Sequence, residues 1–150
     1  MGIVLFSKQG FADLKVELEK EIAKRPLAVE SLKRGREMGD LSENGLYKAA
    51  KMELGSIDRQ IRHLKNLVHY GRISEPKDNF AVQLGHTVTV ETENGEKQFQ
   101  IVGEWEASPK ENKISIKSPI GYNLMGRKVG DTVGIKTPNG FINYKISSIR

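Results

Sequence analysis

The stretch YKAAKMELGSIDRQIRHLKNLV, residues 47–68, decides the architecture. Within it Tyr47, Ala50, Leu54, Ile57, Ile61, Leu64 and Val68 recur at alternating intervals of three and four. That is an a/d seam sustained over three heptads, which predicts one helix of a coiled coil. Neighbouring sequence supplies a partner. Phe11, Leu14, Leu18, Ile22, Val29 and Leu32 form a second, less regular apolar stripe, with Arg25-Pro26 inside it. Proline removes one intrahelical hydrogen bond, so a kink or short break is expected there. Ser7 is a suitable N-cap for the first helix and Gly71 a suitable stop for the second. The connection around Gly39 is short, which predicts an antiparallel hairpin, a rod of roughly 45 Å at about 1.5 Å per residue.

Beyond residue 74 the period changes. A linker over 75–80 contains Pro76, and residues 81–150 then read as strands. HTVTVETENGEKQFQIV (86–102) predicts a hairpin around Asn94-Gly95, and TVGIKTPNGFINYKISSI (132–149) predicts a second around Pro138-Asn139-Gly140. KISIK (113–117) is a short strand. SPIGYNLMG (118–126) opens with serine at an N-cap and proline at N1, the start of a two-turn helix. The fold class expected is therefore α+β: an antiparallel coiled-coil hairpin over 1–74, followed by a small antiparallel β domain with one short helix.

Composition narrows the chemistry. No cysteine is present, which excludes disulfides, thiolate nucleophiles and cysteine-based zinc sites. His63, His69 and His86 are scattered without partners at metal-ligand spacing, and are read as surface or satisfied side chains. No apolar run reaches the roughly 20 residues of a membrane span, and the first residues lack the basic region and cleavage site of a signal peptide. A cytoplasmic protein without a membrane partner is expected. Up to Ser74 there are 14 Lys and Arg against 10 Asp and Glu, and from Glu75 onward 10 against 9. The basic surplus lies in the first half, pointing to a polyanionic partner there.

Against that background GDLSENGLY (39–47) is unusual, because Asp40 and Glu43 sit three residues apart between two helices. Two readings are open. Asp40 at N-cap and Glu43 at N3 would make a capping box for the second helix. Alternatively, the two carboxylates are ligands for a Mg²⁺ whose remaining ligands are phosphate and water.

REMGDLSENGLYKAAK (36–51) resembles the tip motif of the bacterial Gre transcript-cleavage factors, and both IVGEWEASPKENKISIKSPIGYNLMGRKVGD (101–131) and TPNGFINYKISSI (137–149) resemble their second domain. The resemblance runs over essentially the whole chain. It implies a hairpin that enters the secondary channel of RNA polymerase and stimulates the polymerase's own cleavage of backtracked RNA. The chain would not be an enzyme by itself. Asp40 and Glu43 fall on the tip carboxylates, which would share a Mg²⁺ with the polymerase active site, no cofactor being held stably by the factor alone. Ser42 and Asn44 would support the tip. Arg36 and Lys51 fall on a basic patch facing the 3′ segment of the nascent RNA, with Lys33, Arg34 and Lys48 adding charge nearby. The second domain would be FKBP-like and dock on core RNA polymerase through the region of Ser118 and Pro119, the factor acting as a monomer.

The chain also departs from that family's usual Glu-Asn-Ala-Glu-Tyr, having Glu43-Asn44-Gly45-Leu46-Tyr47 instead. Gly45 weakens a helical turn by roughly 1 kcal/mol relative to alanine, and Leu46 places an apolar side chain where an acid is usual. Lys117 stands where an acidic or polar residue is common. These departures keep open a second functional reading, a channel-occupying regulator or inhibitor that does not stimulate cleavage.

Overall fold

A computed structural model describes residues 2–38 and 44–150. They form two compact units: residues 12–70, and residues 71–150 together with the first eleven. Expectation placed the first boundary at 74 and assigned everything before it to the hairpin. The structure instead gives the N-terminal residues to the β unit.

The hairpin unit is made by α1 (Lys8–Glu37) and α2 (Gly45–Tyr70). Ser7 caps α1, its Oγ accepting from the Gly10 N–H at 3.1 Å. Ala28, Ile57 and Ile61 are buried in the interface, with Leu18 and Leu54 packed against them. Contact between Gly35 and Tyr47 at one point, and between Arg25 and Asp58 at another, sets the two helices antiparallel. Leu64 is buried as the seam requires, but the last buried position is Leu67 rather than Val68. A straight helix has 3.6 residues per turn, so a strict seven-residue stripe drifts around its surface, and here the drift costs one position.

The expected interruption at Pro26 does not occur as a break, since α1 is continuous through it. Pro26 cannot donate to the Ile22 carbonyl, and Ile22 is 44% exposed. Ile22 therefore falls outside the apolar stripe in which its spacing placed it. The Asp58 carboxylate accepts from Arg25 Nε at 2.7 Å. That hydrogen bond and the guanidinium charge hold the Asp58 carboxyl below its ordinary value.

In the second unit, β1 (Val4–Phe6) pairs in parallel with β2 (Gly71–Ile73). β3 (Thr87–Thr92), β4 (Gly95–Val102), β5 (Lys113–Ser115), β6 (Thr132–Thr137) and β7 (Gly140–Ile149) form a five-stranded sheet in the order β5-β4-β3-β7-β6. Both expected hairpins are present. Gly95 at φ +106° and Gly140 at φ +115° take the left-handed backbone that the two turns need. One strand differs from expectation: β5 runs parallel to β4, reached through two 3-10 turns at Glu104–Glu106 and Pro109–Glu111. Val88, Val90, Ile101, Leu124, Ile135 and Ile146 are sealed from solvent and form the core. α3 (Pro119–Leu124) covers one end of it through Leu124.

The segment read as a linker over 75–80 runs into a well-packed loop. Val82 and Leu84 are buried there, and so is His86. The Gln83 N–H donates to His86 Nδ1 at 2.9 Å. Nδ1 is thereby the acceptor, and Nε2 the donor to Asn79 Oδ1 at 3.1 Å. His86 is a satisfied structural residue.

A glutamate ties the start of the chain into this unit. Glu106 Oε2 accepts from the Ser7 N–H at 2.8 Å and the Gly103 N–H at 2.9 Å, and Oε1 accepts from Ser7 Oγ. Gly103 is obligatory at this junction, because a Cβ there would lie 1.8 Å from the Leu5 carbonyl oxygen.

Candidate functional site at the hairpin tip

Asp40, Ser42 and Glu43 lie outside the described residues. The residues on either side show how the loop that carries them is anchored. α1 ends at Glu37 and α2 begins at Gly45, so the N-cap of α2 is Asn44. Asn44 Oδ1 accepts from the Tyr47 N–H at 3.1 Å, the bond expected from a cap to its N3 residue. The other end of the same amide, Nδ2, donates to the Gly35 carbonyl. That carbonyl belongs to the last turn of α1 and also accepts from the Met38 N–H at 3.3 Å. One asparagine thus satisfies an open donor of one helix and gives a carbonyl in the last turn of the other a second donor.

This arrangement corrects the capping-box reading. The cap position is taken by Asn44 and the N3 position by Tyr47, so α2 uses neither Asp40 as cap nor Glu43 as N3. Sequence spacing missed it because Asp, Ser and Asn are comparably good caps and DLSEN offers all three.

Gly35 makes the close approach possible. It is buried, and a Cβ on it would meet Tyr47 Cα at 2.9 Å. Arg36 lies over the Tyr47 ring, 5.9 Å from its centroid. Arg34 pairs with Glu30 at 2.7 Å on the exposed face of α1. Lys33, Lys48 and Lys51 are exposed. All five cations of the expected basic patch therefore sit on the two helices next to the loop bearing Asp40 and Glu43. Against them the described residues of 31–38 and 44–53 carry Glu37 and Glu53 alone.

Between the helices, close to the loop, lies a groove of about 330 Å³ lined by Gly35, Met38, Leu46, Ala49 and Ala50, with Arg34 and Glu53 among its edges. Met38 is 64% exposed and Leu46 60%. Spacing did not reveal this groove, since its residues come from both helices and only their approach at Gly35 creates it.

Ser118 and Pro119, expected to dock, lie in the second unit. Ser118 is the N-cap of α3: its Oγ accepts from the Gly121 N–H at 3.1 Å and donates to the Ser115 carbonyl at 2.7 Å. Pro119 occupies N1 and is exposed. Beside them Lys117 pairs with Glu104 at 2.9 Å. The same unit has a recess of about 370 Å³ lined by Ile3, Leu5, Trp105, Ile116 and Lys117 among others. Its one signal in the sequence is the single tryptophan, Trp105.

Two family models cover nearly the whole chain. One, described as transcription elongation factor, N-terminal, matches residues 4–73, and the other, transcription elongation factor GreA/GreB, C-term, matches residues 77–150. The chain belongs to the GreA/GreB family. Transcription elongation factor GreA of Thermosipho melanesiensis is similar to it at 40% identity, over 99% of this chain and 97% of its own length. The GreA of Staphylococcus carnosus is 42% identical over 96% of this chain and 93% of its own. Among solved structures, the GreA factor homolog 1 protein of Thermus thermophilus matches 99% of each chain at 28% identity with a TM-score of 0.46. This GreA/GreB-family chain is thus a transcription elongation factor. No helix among its described residues is long and apolar enough to cross a membrane.

Proposed function

We propose that this factor binds core RNA polymerase, places its α1–α2 hairpin in the secondary channel and stimulates cleavage of backtracked nascent RNA, so that arrested complexes resume elongation. The observation that carries the proposal is the capping of α2 by Asn44. It gives the N-cap and N3 positions of α2 to Asn44 and Tyr47, so that the sequence pair Asp40 and Glu43 falls between two helix ends that are fastened to each other. A Mg²⁺ site completed in another protein would use such a pair of acids.

The donor set suits the task. Two carboxylates are hard oxygen donors of the kind Mg²⁺ takes in ones and twos, leaving positions for phosphate and water. Asp40 and Glu43 would hold such an ion jointly with the polymerase, and when bound it would supply Lewis-acid activation of the attacking water. The factor's own residues do the rest. Asn44 and Gly35 hold the helix ends together, and Arg36, Lys33, Arg34, Lys48 and Lys51 set a positive field for the RNA phosphates. Pro119, presented by the Ser118 cap, belongs to the face that docks the second unit on the polymerase.

The test is a backtracked elongation complex of the cognate polymerase with labelled RNA and Mg²⁺, comparing the native chain with the Asp40→Ala/Glu43→Ala variant. Shortened RNA with the native chain only, at equal polymerase binding, is the expected result. Binding without cleavage by the native chain would instead favour a channel-occupying regulator, a reading supported by the exposed Leu46 beside the loop.

A further inference from the structure

Midway along the hairpin a second groove, of about 300 Å³, lies between α1 and α2, lined by Ile22, Arg25, Asp58, Ile61, Arg62 and Lys65. Arg62 stands about five turns beyond Gly45, roughly 25 Å along the helix axis, so this groove is remote from the acidic loop. Its floor is apolar: Ile61 is buried in the seam, while Ile22 is left 44% exposed. Its walls are cationic. Arg25 is committed to Asp58, donating from Nε at 2.7 Å and from Nη2 at 3.5 Å. Arg62 and Lys65, one turn apart on α2, are exposed and form no salt bridge among the described residues. The carboxylate of the groove is thus neutralised from within, and two cations are left over beside a bare aliphatic side chain.

Those cations would attract any anion, but the groove discriminates among kinds. A small ligand is retained by enclosure, whereas Arg25, Arg62 and Lys65 all stand exposed. Single-stranded nucleic acid is held on aromatic platforms between cations. Among the described residues no aromatic side chain lines this groove, and the Asp58 carboxylate in it works against a chain of phosphates. An acidic protein surface suits both features. Its carboxylates pair with Arg62 and Lys65, the arginine fork matching a carboxylate in shape, and its aliphatic parts cover Ile22. Asp58 does not repel the incoming acids, because Arg25 already holds it.

We infer that the groove formed by Ile22, Arg62 and Lys65 is a docking surface for an acidic patch on the polymerase, against which the shaft of the hairpin lies. This rests on the proposed binding to RNA polymerase, and it deepens that reading by giving the shaft a contact of its own, separate from the loop. Exposed charges at the edge of a contact act mainly on the rate of association and on its salt dependence. The groove therefore sets how readily the hairpin enters and stays, and the loop sets what it does there.

The experiment measures binding of the full-length factor to core polymerase free of nucleic acid, from low to high salt. Native factor, Arg62→Gln/Lys65→Gln and Arg62→Glu/Lys65→Glu are compared, with a melting curve for each, and cleavage in backtracked complexes is then titrated with each factor. Both positions are exposed, so the glutamine variant should melt as the native chain does. The expected result is an affinity about tenfold lower in the glutamine variant and lower still on charge reversal, the gap closing at high salt. Cleavage at saturating factor should reach the native level. Carbodiimide, which joins an ammonium to a carboxylate in contact with it, should link Lys65 to an Asp or Glu of the polymerase. Native affinity in both variants overturns the inference and leaves cleavage stimulation standing. A loss seen only when RNA is present overturns it too, and would put a phosphate chain on the shaft. Failure of the native factor to bind polymerase would overturn the functional reading, and the inference with it.

Discussion

Replacing Asn44 with alanine should loosen the end of the hairpin by an amount that follows from two bonds. The bond from the Tyr47 N–H to Oδ1, 3.1 Å long, is an N-cap, and its loss costs about 1 kcal/mol. The bond from Nδ2 to the Gly35 carbonyl is worth a further ~1 kcal/mol, because the half-buried acceptor loses its side-chain partner. Together they amount to about 2 kcal/mol, or roughly a 30-fold change in a local opening equilibrium. Hydrogen exchange of the native-state amides reads this directly. In Asn44→Ala, protection at Tyr47 and Lys48 and at the last turn of α1 should fall by that factor, while the core of the β unit stays unchanged. Asn44→Ser separates the two bonds, since a serine keeps the cap but cannot reach Gly35. It should recover about half of the effect at Tyr47 and little in α1. Protection in Asn44→Ala within twofold of native would refute the claim that this residue fastens the helix ends.

Four further outcomes are expected. Gly103→Ala forces a Cβ into the Leu5 carbonyl, 1.8 Å away, and should lower denaturant stability of the β unit by about 3 kcal/mol; Gly45→Ala, with nothing within 4 Å, should stabilise the first turn of α2 by about 0.5–1 kcal/mol. Glu106→Ala strips the acceptor from the Ser7 and Gly103 N–H groups and should cost about 2–3 kcal/mol in the same measurement. Arg25 holds the Asp58 carboxyl low, so the stabilisation that this carboxylate contributes is complete above its unfolded pKa of about 4 and disappears as pH falls through the lower folded value. Melting curves of native and Asp58→Asn chains should therefore differ at pH 7 and converge in strong acid, and a gap independent of pH would show that the ionised form does not matter.

The hairpin was legible because its signal is periodic and long. Ala50, Ile57, Ile61 and Leu64 are buried where the three-four spacing puts them, and a helix of 26 residues averages out errors at single positions. α1 was read less well. It buries Ala28 and Gly35, which look like surface residues by hydrophobicity, and exposes Ile22. Close helix contact selects small side chains, and no apolar count detects that. In the β unit Asn94-Gly95 and Asn139-Gly140 marked the turns because only a few residues tolerate left-handed backbone. β1 could not be found by such means. Three residues have no period, and their partner lies beyond both helices. The acidic loop was visible as a pair of carboxylates, but which residue caps α2 was not legible, because Asp, Ser and Asn all suit the position and only the Asn44 bonds identify it.

The parallel pairing of Val4 with Gly71 and Phe6 with Ile73 has a consequence for how the molecule is made. A ribosome releases β1 first, and its partner emerges only after the whole hairpin has been synthesised. Until then the exposed Ile3 and Leu5 have no neighbouring β strand, and the Ser7 N–H has no Glu106 to meet. The five-stranded sheet and its core lie wholly within the C-terminal residues, but the small β1–β2 sheet beside them needs both ends of the hairpin. A fragment beginning at residue 75 would lack β1, β2 and the Ser7 donors to Glu106, and in the full chain the first residues synthesised wait for partners made long after them.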